Sequence, residues 1–290
     1  MSFILTLNST NLSNTNTNTS FKYDFINGGF SCKNYEMCVS SVTLPYSFYN
    51  VSSYYSNKTF SLIFPTAATT ITHNITLPDG FYTVTDINAY IQLECQNHGA
   101  YLLDSNGDNV YFIQLAYNTA YYTVQLLTFL VPTLAGIGTY TRPPSGLYST
   151  SGTGLPTISR VPQITFASTG SIRTIIGFAA GTFPTTSQTS NYNTSSSLTP
   201  MGSTVNSIIM QCSLISNRCT IPSDIIDSMP INDTSFGSNI IYNPSFEKFV
   251  SISDGTFNNF TFSFRDQNLN EIYARDPNVS ITLIIRPKKY

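Results

Sequence analysis

Apolar and polar residues alternate strictly near both ends of the chain. The pattern runs through Phe3–Leu7 and Phe21–Phe25 at the beginning and through Phe260–Phe264 and Val279–Ile285 at the end. Because side chains two positions apart lie on the same side of a strand, each run predicts a strand with one apolar face. We therefore expect the two ends to be β-structure of one type that closes a single sandwich.

Turn-forming segments divide the terminal regions into eight predicted strands. They cover residues 2–8, 19–26, 35–44, 58–64, 205–214, 247–253, 257–265 and 278–286. Asp254-Gly255 is expected to join 247–253 and 257–265 as a hairpin, and Ser223–Ser228 to form one helical turn or a short helix. Eight strands suit a double-sheet jelly roll with the first and last strands as neighbours. The predicted fold is mainly β, an eight-stranded single jelly-roll sandwich with an inserted α+β domain.

The predicted domains are the sandwich, formed by residues 1–65 plus 205–290, and the insertion, residues 66–204. Removal of the insertion is expected to leave a foldable sandwich. The insertion opens with a strand at 70–76 and a turn at Pro78–Gly80. A helix then starts at Thr85 or Asp86 as N-cap and ends near His98-Gly99. One side of that helix carries Ile87, Tyr90, Ile91 and Glu94.

Hairpins and long loops are expected after that helix. The hairpin segments are Tyr101–Asp104 with Val110–Tyr117, around Asn106-Gly107, followed by Tyr121–Phe129. Residues 133–160 and 182–204 are rich in Gly, Ser, Thr and Pro, which predicts long loops. Between them, 171–178 is expected to be a short helix or an irregular turn.

Charged residues make up 10% of the chain, where about 25% is ordinary. With a net charge of −2 and no basic run beyond Lys288-Lys289, direct nucleic-acid binding is not expected. A weakly charged surface suits a subunit of an assembly. An AT-rich genome, which favours Asn, Ile, Tyr and Phe codons, would also lower the charge, and composition leaves both explanations open.

The expected compartment follows from the apolar stretches and the cysteines. Val124–Ala135 is the nearest approach to a membrane span, and Pro132 interrupts it. Met1–Leu7 lacks the basic region of a signal peptide, and the five cysteines contain no CxxC pair. We therefore expect no membrane span, no disulfide framework and a cytosolic chain, while the state of the cysteines stays open.

Candidate catalytic chemistry is sparse. The chain has two histidines, His73 in a predicted strand and His98 at a helix end, and both are interpreted as structural or surface residues. The run Asp104–Asn109 lacks the spacing of a calcium-binding EF-hand and is better explained by a hairpin turn. Asp224 and Asp227 have helical spacing and are the one candidate glycosidase pair, although a solvated helix face is favoured. The prediction is a protein that is not an enzyme, with no catalytic, cofactor-binding or metal-binding residues and no cofactor.

Aromatic residues point to contact surfaces. The chain contains 19 tyrosines, 20 phenylalanines and no tryptophan. Most phenylalanines are expected in the core, while tyrosine-rich stretches such as Tyr46–Tyr55 and Tyr121-Tyr122 favour protein interfaces over sugar binding.

Three segments in this order resemble a known family. They are Leu77–Thr83 leading into Asp86–Gln92, then Ile175–Phe178 with Gly181 and Pro184, then Phe264–Asp266 followed by Ile281–Ile284. None is diagnostic by itself, but their order, the chain length and the sparse chemistry resemble the penton (minor capsid) proteins of virophages and Polinton-like viruses. The resemblance spans most of the chain.

That resemblance implies a structural capsid protein of the virion, assembled in the host cell cytoplasm. Homopentamers of such subunits close the fivefold vertices of an icosahedral capsid and contact a major capsid protein with a double jelly-roll fold. The insertion would face outward, where a host receptor is a further candidate partner. The alternative function is a receptor- or glycan-binding β-sandwich head, which acts through the inserted domain.

Overall fold

The fold is described by a computed structural model, which covers residues 2–26, 28–202, 205–231 and 234–288. It is mainly β, with several sheets and two α-helices in the described residues. The helices are α1 (Val84–Asn97) and α2 (Arg173–Ile176). The strands, in chain order, are β1 (Phe3–Asn8), β2 (Ser20–Asp24), β3 (Phe30–Cys32), β4 (Tyr35–Pro45), β5 (Asn57–Pro65), β6 (Thr70–Thr76), β7 (Leu102–Leu103), β8 (Asn109–Val110), β9 (Ile113–Asn118), β10 (Thr123–Thr128), β11 (Gln163–Phe166), β12 (Gly170–Ser171), β13 (Gly181–Phe183), β14 (Tyr192–Ser195), β15 (Ser207–Cys212), β16 (Ile225–Pro230), β17 (Asn239–Tyr242), β18 (Val250–Ser251), β19 (Gly255–Phe257), β20 (Asn259–Arg265) and β21 (Ser280–Pro287).

The chain divides into two compact units. Unit 1 comprises residues 1–49 and 204–290, and unit 2 comprises residues 50–203. Each unit has its own sheets and its own buried apolar residues.

Unit 1 contains two larger sheets. In sheet A the strand order is β1-β21-β4-β17, with β18 also paired to β4, and in sheet B it is β16-β15-β20-β2. The first and last strands of the chain pair antiparallel from Phe3 opposite Ile285 to Asn8 opposite Ser280. The adjacency predicted for them is confirmed. The small β3–β19 sheet completes the unit among the described residues.

The alternating runs explain the core of unit 1. Leu5 and Leu7 of β1 are buried while Ile4 and Thr6 are exposed. On sheet B, the buried rings of Phe21 and Phe264 meet edge to face with centroids 5.9 Å apart. Further buried side chains come from Val42, Leu44, Phe260, Phe262, Ile281, Leu283 and Ile285. The alternation of apolar and polar residues in these runs therefore matches the alternation of buried and exposed side chains in the strands.

Two of the predicted sandwich strands differ in the structure. Residues 58–64 form β5, which lies in unit 2 and pairs with β6, β11 and β12. Of residues 247–253, two are in strand, as β18. The sheets of unit 1 are completed instead by β16 and β17.

The local predictions around these strands are also corrected. The helical turn predicted at Ser223–Ser228 is wrong, because residues 225–230 extend as β16 and pair with β15. The hairpin predicted at Asp254-Gly255 is wrong as well, since β19 pairs with β3. The Asp254 carboxylate accepts a hydrogen bond from the backbone N–H of Asn34 at 2.8 Å. The backbone groups of these two segments pair with other strands, whereas the local pattern had predicted hydrogen bonds within each segment.

Unit 2 is built from sheets and one long helix. Its larger sheet has the order β12-β5-β11-β13, with β6 paired to β5, and its second sheet has the order β14-β10-β9. Of the two alternatives predicted for 171–178, a short helix or an irregular turn, the structure has the short helix α2, and residues 133–160 form no helix or strand. In 182–204, predicted as loop, β14 adds a short strand to β10.

Helix α1 is fixed by its ends and by one apolar stripe. Thr83 is the N-cap: its hydroxyl accepts from the Asp86 N–H at 3.2 Å, and the Asp86 carboxylate accepts from the Thr83 N–H at 2.8 Å. This reciprocal pair satisfies two backbone donors that a helix start leaves free. Ile87, Ile91 and Cys95 are buried, and α1 packs on β9.

Candidate functional site

The two carboxylates singled out by their spacing do not act as a pair. Asp224 precedes β16, where its carboxylate accepts from the side-chain amide of Gln211 at 3.2 Å. Asp227 lies within β16 and has its own partners. The described residues around them give no arrangement of two carboxylates across a cleft, which a glycosidase needs.

Asp227 forms a polar cluster with Tyr242 and Lys248. Its side chain is 7% exposed. The Tyr242 hydroxyl donates to Asp227 Oδ2 at 2.7 Å, and Lys248 Nζ donates to Oδ1 at 3.0 Å. The hydrogen bond to Asp227 raises the pKa of Lys248, whereas burial is the main cause that raises the pKa of Tyr242. Because Asp227 is on sheet B and Tyr242 is on sheet A, the cluster links one edge of each sheet.

Loss of the Tyr242 hydroxyl is expected to destabilise unit 1. We expect Tyr242→Phe to lower the free energy of unfolding by about 1.5 to 3 kcal/mol, the usual contribution of a hydrogen bond to a charged group. Urea unfolding measures the change. Tyr121→Phe removes the same atom from a largely exposed ring and is the control. Equal stability of the two variants would contradict a structural role for the cluster.

An open cavity with a mixed polar and apolar lining lies beside this cluster, at the β17 edge of sheet A. Its volume is about 530 Å³, and it is lined among others by Pro230, Ile240, Ile241, Pro244 and Phe246. Ile241 is 67% exposed and Phe246 is also exposed. β17 is the last strand in the order of sheet A. We call this region the β17 rim.

The opposite edge of sheet A also carries an exposed isoleucine. Ile4 of β1 is 75% exposed. Between the two edges, the side of the sheet that faces away from the core includes Ile4, Thr6, Thr43, Ile241, Ser280 and Thr282, and along β21 it continues through Ile284 to Arg286. The first six of these side chains carry no charge. We call these six residues the neutral face; they and the β17 rim are the surfaces of unit 1 best suited to protein contact.

Charges on sheet A collect at one end. Arg286 Nε donates to Glu36 Oε1 at 2.7 Å, and Arg286 Nη1 lies 3.7 Å from Glu247 Oε2. The guanidinium also stacks on Phe249, 3.3 Å from the ring centroid. One guanidinium thus meets two carboxylates at this end of the sheet, and the six residues of the neutral face carry no charge.

In unit 2, three tyrosines gather at the turn between β9 and β10. Tyr121 is 79% exposed, and Tyr117 and Tyr122 are also exposed. The rings of Tyr117 and Tyr122 meet edge to face at 6.0 Å, and Tyr122 has a positive φ of 51°. A bulky residue in this conformation is a strained one, and such strain concentrates at functional positions.

The remaining candidate groups have structural partners. The predicted hairpin at Asn106-Gly107 is confirmed as β7 and β8, and Asp104 Oδ1 accepts from the N–H groups of Asn106 and Asp108. His73 and His98, interpreted separately from the sequence, lie against each other. The part of the chain that the structure describes contains no cluster of three metal-ligating side chains.

The five cysteines are free thiols, of which Cys219 is exposed and four are buried. Burial raises the pKa of Cys95 and of Cys212 to about 12. A thiol with a raised pKa is a weak nucleophile at neutral pH. The buried cysteines therefore behave as small apolar side chains.

Sequence reasoning missed the residues of the two edges. Ile4 does carry a signal, because it is an apolar residue in the outward phase of the alternation Phe3, Leu5, Leu7. Ile241 has none, since Asn239–Tyr242 does not alternate. Tyr242 and Lys248 meet Asp227 only through the pairing of the strands.

No known protein-family profile matches the chain, and no curated protein does. Comparison with solved structures finds a similar chain among penton proteins. It is the selenomethionine-labelled mavirus penton protein, 10% identical, with a TM-score of 0.41 over 99% of this chain and 100% of that one. Values this low establish neither a common fold nor a common function, so a functional assignment depends on the sheets and surfaces described above. Among the described residues, no helix is both long enough and apolar enough to cross a membrane.

Proposed function

We propose that this protein is a structural capsid subunit, whose copies form closed homopentamers at the fivefold vertices of an icosahedral capsid. The fold that we assign is an eight-stranded single jelly roll, formed by unit 1, with unit 2 as an inserted α+β domain. The boundaries of the insertion become 50–203, in place of 66–204.

The strand order is the observation that carries the proposal. Taken in chain order, the eight main strands of unit 1 are β1, β2, β4, β15, β16, β17, β20 and β21. Numbered one to eight, they form a sheet of order 1-8-3-6 and a sheet of order 5-4-7-2. Two four-stranded sheets wound in this way are the arrangement of a double Greek key, which viral capsid proteins use.

Jelly rolls also serve cupins and lectins, so the fold needs support from the surfaces. Cupin chemistry depends on metal-ligating histidines, and residues 1–49 and 204–290 contain none. The neutral face instead offers uncharged side chains whose burial does not desolvate charges. These properties favour association of copies over catalysis.

A ring requires two different surfaces on each subunit. In a closed ring, one patch of a subunit meets another patch of the next. The β1 edge with Ile4 and the β17 rim with Ile241 lie at opposite ends of the order of sheet A. We assign the subunit contact to these two edges, so that each copy presents its β1 edge to the β17 rim of its neighbour.

The remaining partners rest on the family resemblance of the sequence. They are a major capsid protein with a double jelly-roll fold, at the vertices of a virion assembled in the host cytoplasm. Direct contact with nucleic acid is not part of the proposal, since a net charge of −2 gives no attraction for phosphates. The virus and its host stay open.

Native mass tests the pentamer. With a subunit of 32.0 kDa, native mass spectrometry is expected to show a species of five subunits. Ile241→Lys is expected to weaken each contact at least tenfold and shift the protein to monomers, because burial of an isoleucine contributes about 1.5 to 3 kcal/mol. Ile221→Lys is the control, since Ile221 is also exposed but lies on neither edge. A trimer, or equal effects of the two variants, would contradict the proposal.

The tyrosine turn supports the second candidate function, a receptor- or glycan-binding head. Neutral tyrosine-rich loops supply rigid contact area for proteins and sugars. If unit 2 binds a host surface, Tyr121→Ser should reduce binding to host cells or to a glycan array without a change in native mass. Unchanged binding would exclude the turn as the contact.

A further inference from the structure

The two histidines of the chain stack on each other in unit 2. The imidazole centroids of His73 and His98 are 3.7 Å apart, and the ring planes differ by 20°. His73 lies on β6, which pairs with β5, and His98 is the C-cap of α1. The pair therefore connects the end of the helix to the sheet.

Among the described residues, Glu94 is the charged group that faces the pair. Glu94, one helical turn before His98, places Oε2 3.5 Å from His98 Nε2. From β5, the pair meets the apolar ring of Phe64, whose centroid is 6.0 Å from that of His73. Tyr90 of α1 also contacts β6, the strand that carries His73. Its hydroxyl donates to the Thr76 carbonyl at 3.4 Å.

The surroundings of His73 disfavour the protonated form of its imidazole. Its Nε2 is buried and has no hydrogen-bond partner among the described residues. Burial is the main cause that lowers the pKa of His73, His98 lowers it further, and Glu94 acts in the opposite direction. When both ring nitrogens are protonated, the buried Nε2 carries an N–H that has no acceptor among the described residues, which is costly.

We propose that His73 and His98 form a proton-sensitive latch, which holds the last turn of α1 against β6 at neutral pH and releases it when both rings are protonated. The proposal does not depend on the capsid role. With at most one charge, the rings stack and Glu94 compensates that charge. With two charges, cations less than 4 Å apart repel, and a single carboxylate compensates one of them.

The direction of the pH dependence follows from the lowered pKa. In the open form His73 takes up a proton near pH 6.5, whereas in the latched form it does so at a lower pH. The contribution of the pair to stability is therefore complete above about pH 6.5. It is lost progressively as the pH falls from that value through the pKa of the latched form.

Cys95 reports whether the latch is open. It lies on the same turn of α1, is fully buried, and packs in the core of unit 2. A pyridyl disulfide reagent accepts the Cys95 thiolate by disulfide exchange and releases thiopyridone, so labelled Cys95 can be quantified by peptide mass spectrometry. Cys212, equally buried in unit 1, is the internal reference, because acidification changes the intrinsic reactivity of both thiols alike.

Between pH 7.5 and 5.0, the labelling of Cys95 relative to Cys212 is expected to rise severalfold in the unmodified chain, because protonation of the pair favours the open form. In His73→Phe, which keeps an aromatic ring against His98 but binds no proton, the ratio is expected to stay constant. A ratio that is constant in the unmodified chain, or that rises equally in the variant, would overturn the proposal.

A second measurement needs no variant. Proton NMR of the unmodified chain resolves the titration of its two imidazoles. The proposal expects one of them to titrate below pH 6.5 and the signals of α1 to shift in the same range. Two independent titrations near pH 6.5 without any shift in α1 would contradict the latch.

Discussion

Replacing Gly99 with alanine is expected to lower the free energy of unfolding of unit 2 by about 2 to 5 kcal/mol. Gly99 follows α1 with φ of +64°. An L residue in this region costs about 1 to 2 kcal/mol. A Cβ there would also lie 2.6 Å from Gly146 Cα. Because Gly146 Cα is a backbone atom and Cβ is fixed to the backbone of residue 99, the clash is relieved only by a shift of the main chain. That shift adds about 1 to 3 kcal/mol.

Gly107→Ala separates the conformational cost of a positive φ from the cost of the steric clash. Gly107 has φ of +87°, and a Cβ at this position would meet nothing within 4 Å. This variant carries the conformational cost without the clash, so we expect it to be less destabilised than Gly99→Ala by about 1 to 3 kcal/mol. Urea unfolding followed by circular dichroism gives both values. Equal losses would show that the approach of Gly99 to Gly146 is looser than described.

The second large effect is expected in the core of unit 1. Phe262 lies on β20 and is fully buried, with its ring edge to face against Phe264 at 5.5 Å. Phe262→Ala leaves a cavity between strands that cannot collapse fully, and the expected loss is about 3 to 5 kcal/mol. The pairing of β20 with both β2 and β15 places the residue in the interior of sheet B.

Phe246→Ala is the matched control for that experiment. The same atoms are removed from a ring that is 66% exposed on the β17 rim, and the expected change is within about 0.5 kcal/mol. If the rim is the subunit contact, Phe246→Ala should still weaken the pentamer in native mass spectra. Comparable losses of stability in the two phenylalanine variants would contradict the assigned core of unit 1.

Alternation and capping were enough to predict several elements correctly. β1, β2, β20 and β21 follow runs in which burial alternates with sequence position. Helix α1 ends before Gly99 as predicted, but its N-cap is Thr83 in place of the predicted Thr85 or Asp86, because Asp86 closes a capping box with Thr83. In each case the determining interactions lie within a few residues of one another, so they are visible in the sequence.

The failures have a common physical cause. Ser223–Ser228 looks like a helix start because serine and aspartate favour N-caps. In the structure, the backbone of residues 225–230 pairs with β15, and the Asp227 carboxylate meets Tyr242 and Lys248. The candidate surfaces escape sequence reasoning for the same reason, since strand order decides which edges stay open.

The sequence by itself determined that the alternating runs near both ends form strands, that a long helix ends near Gly99, and that the chain carries little charge. Tertiary structure alone decided that β16 and β17 complete the sheets, that Ile4 and Ile241 lie at opposite edges of one sheet, and that His73 meets His98. The physical reason is that periodicity and capping are local, whereas strand pairing joins backbone groups distant in sequence, as when β1 pairs with β21.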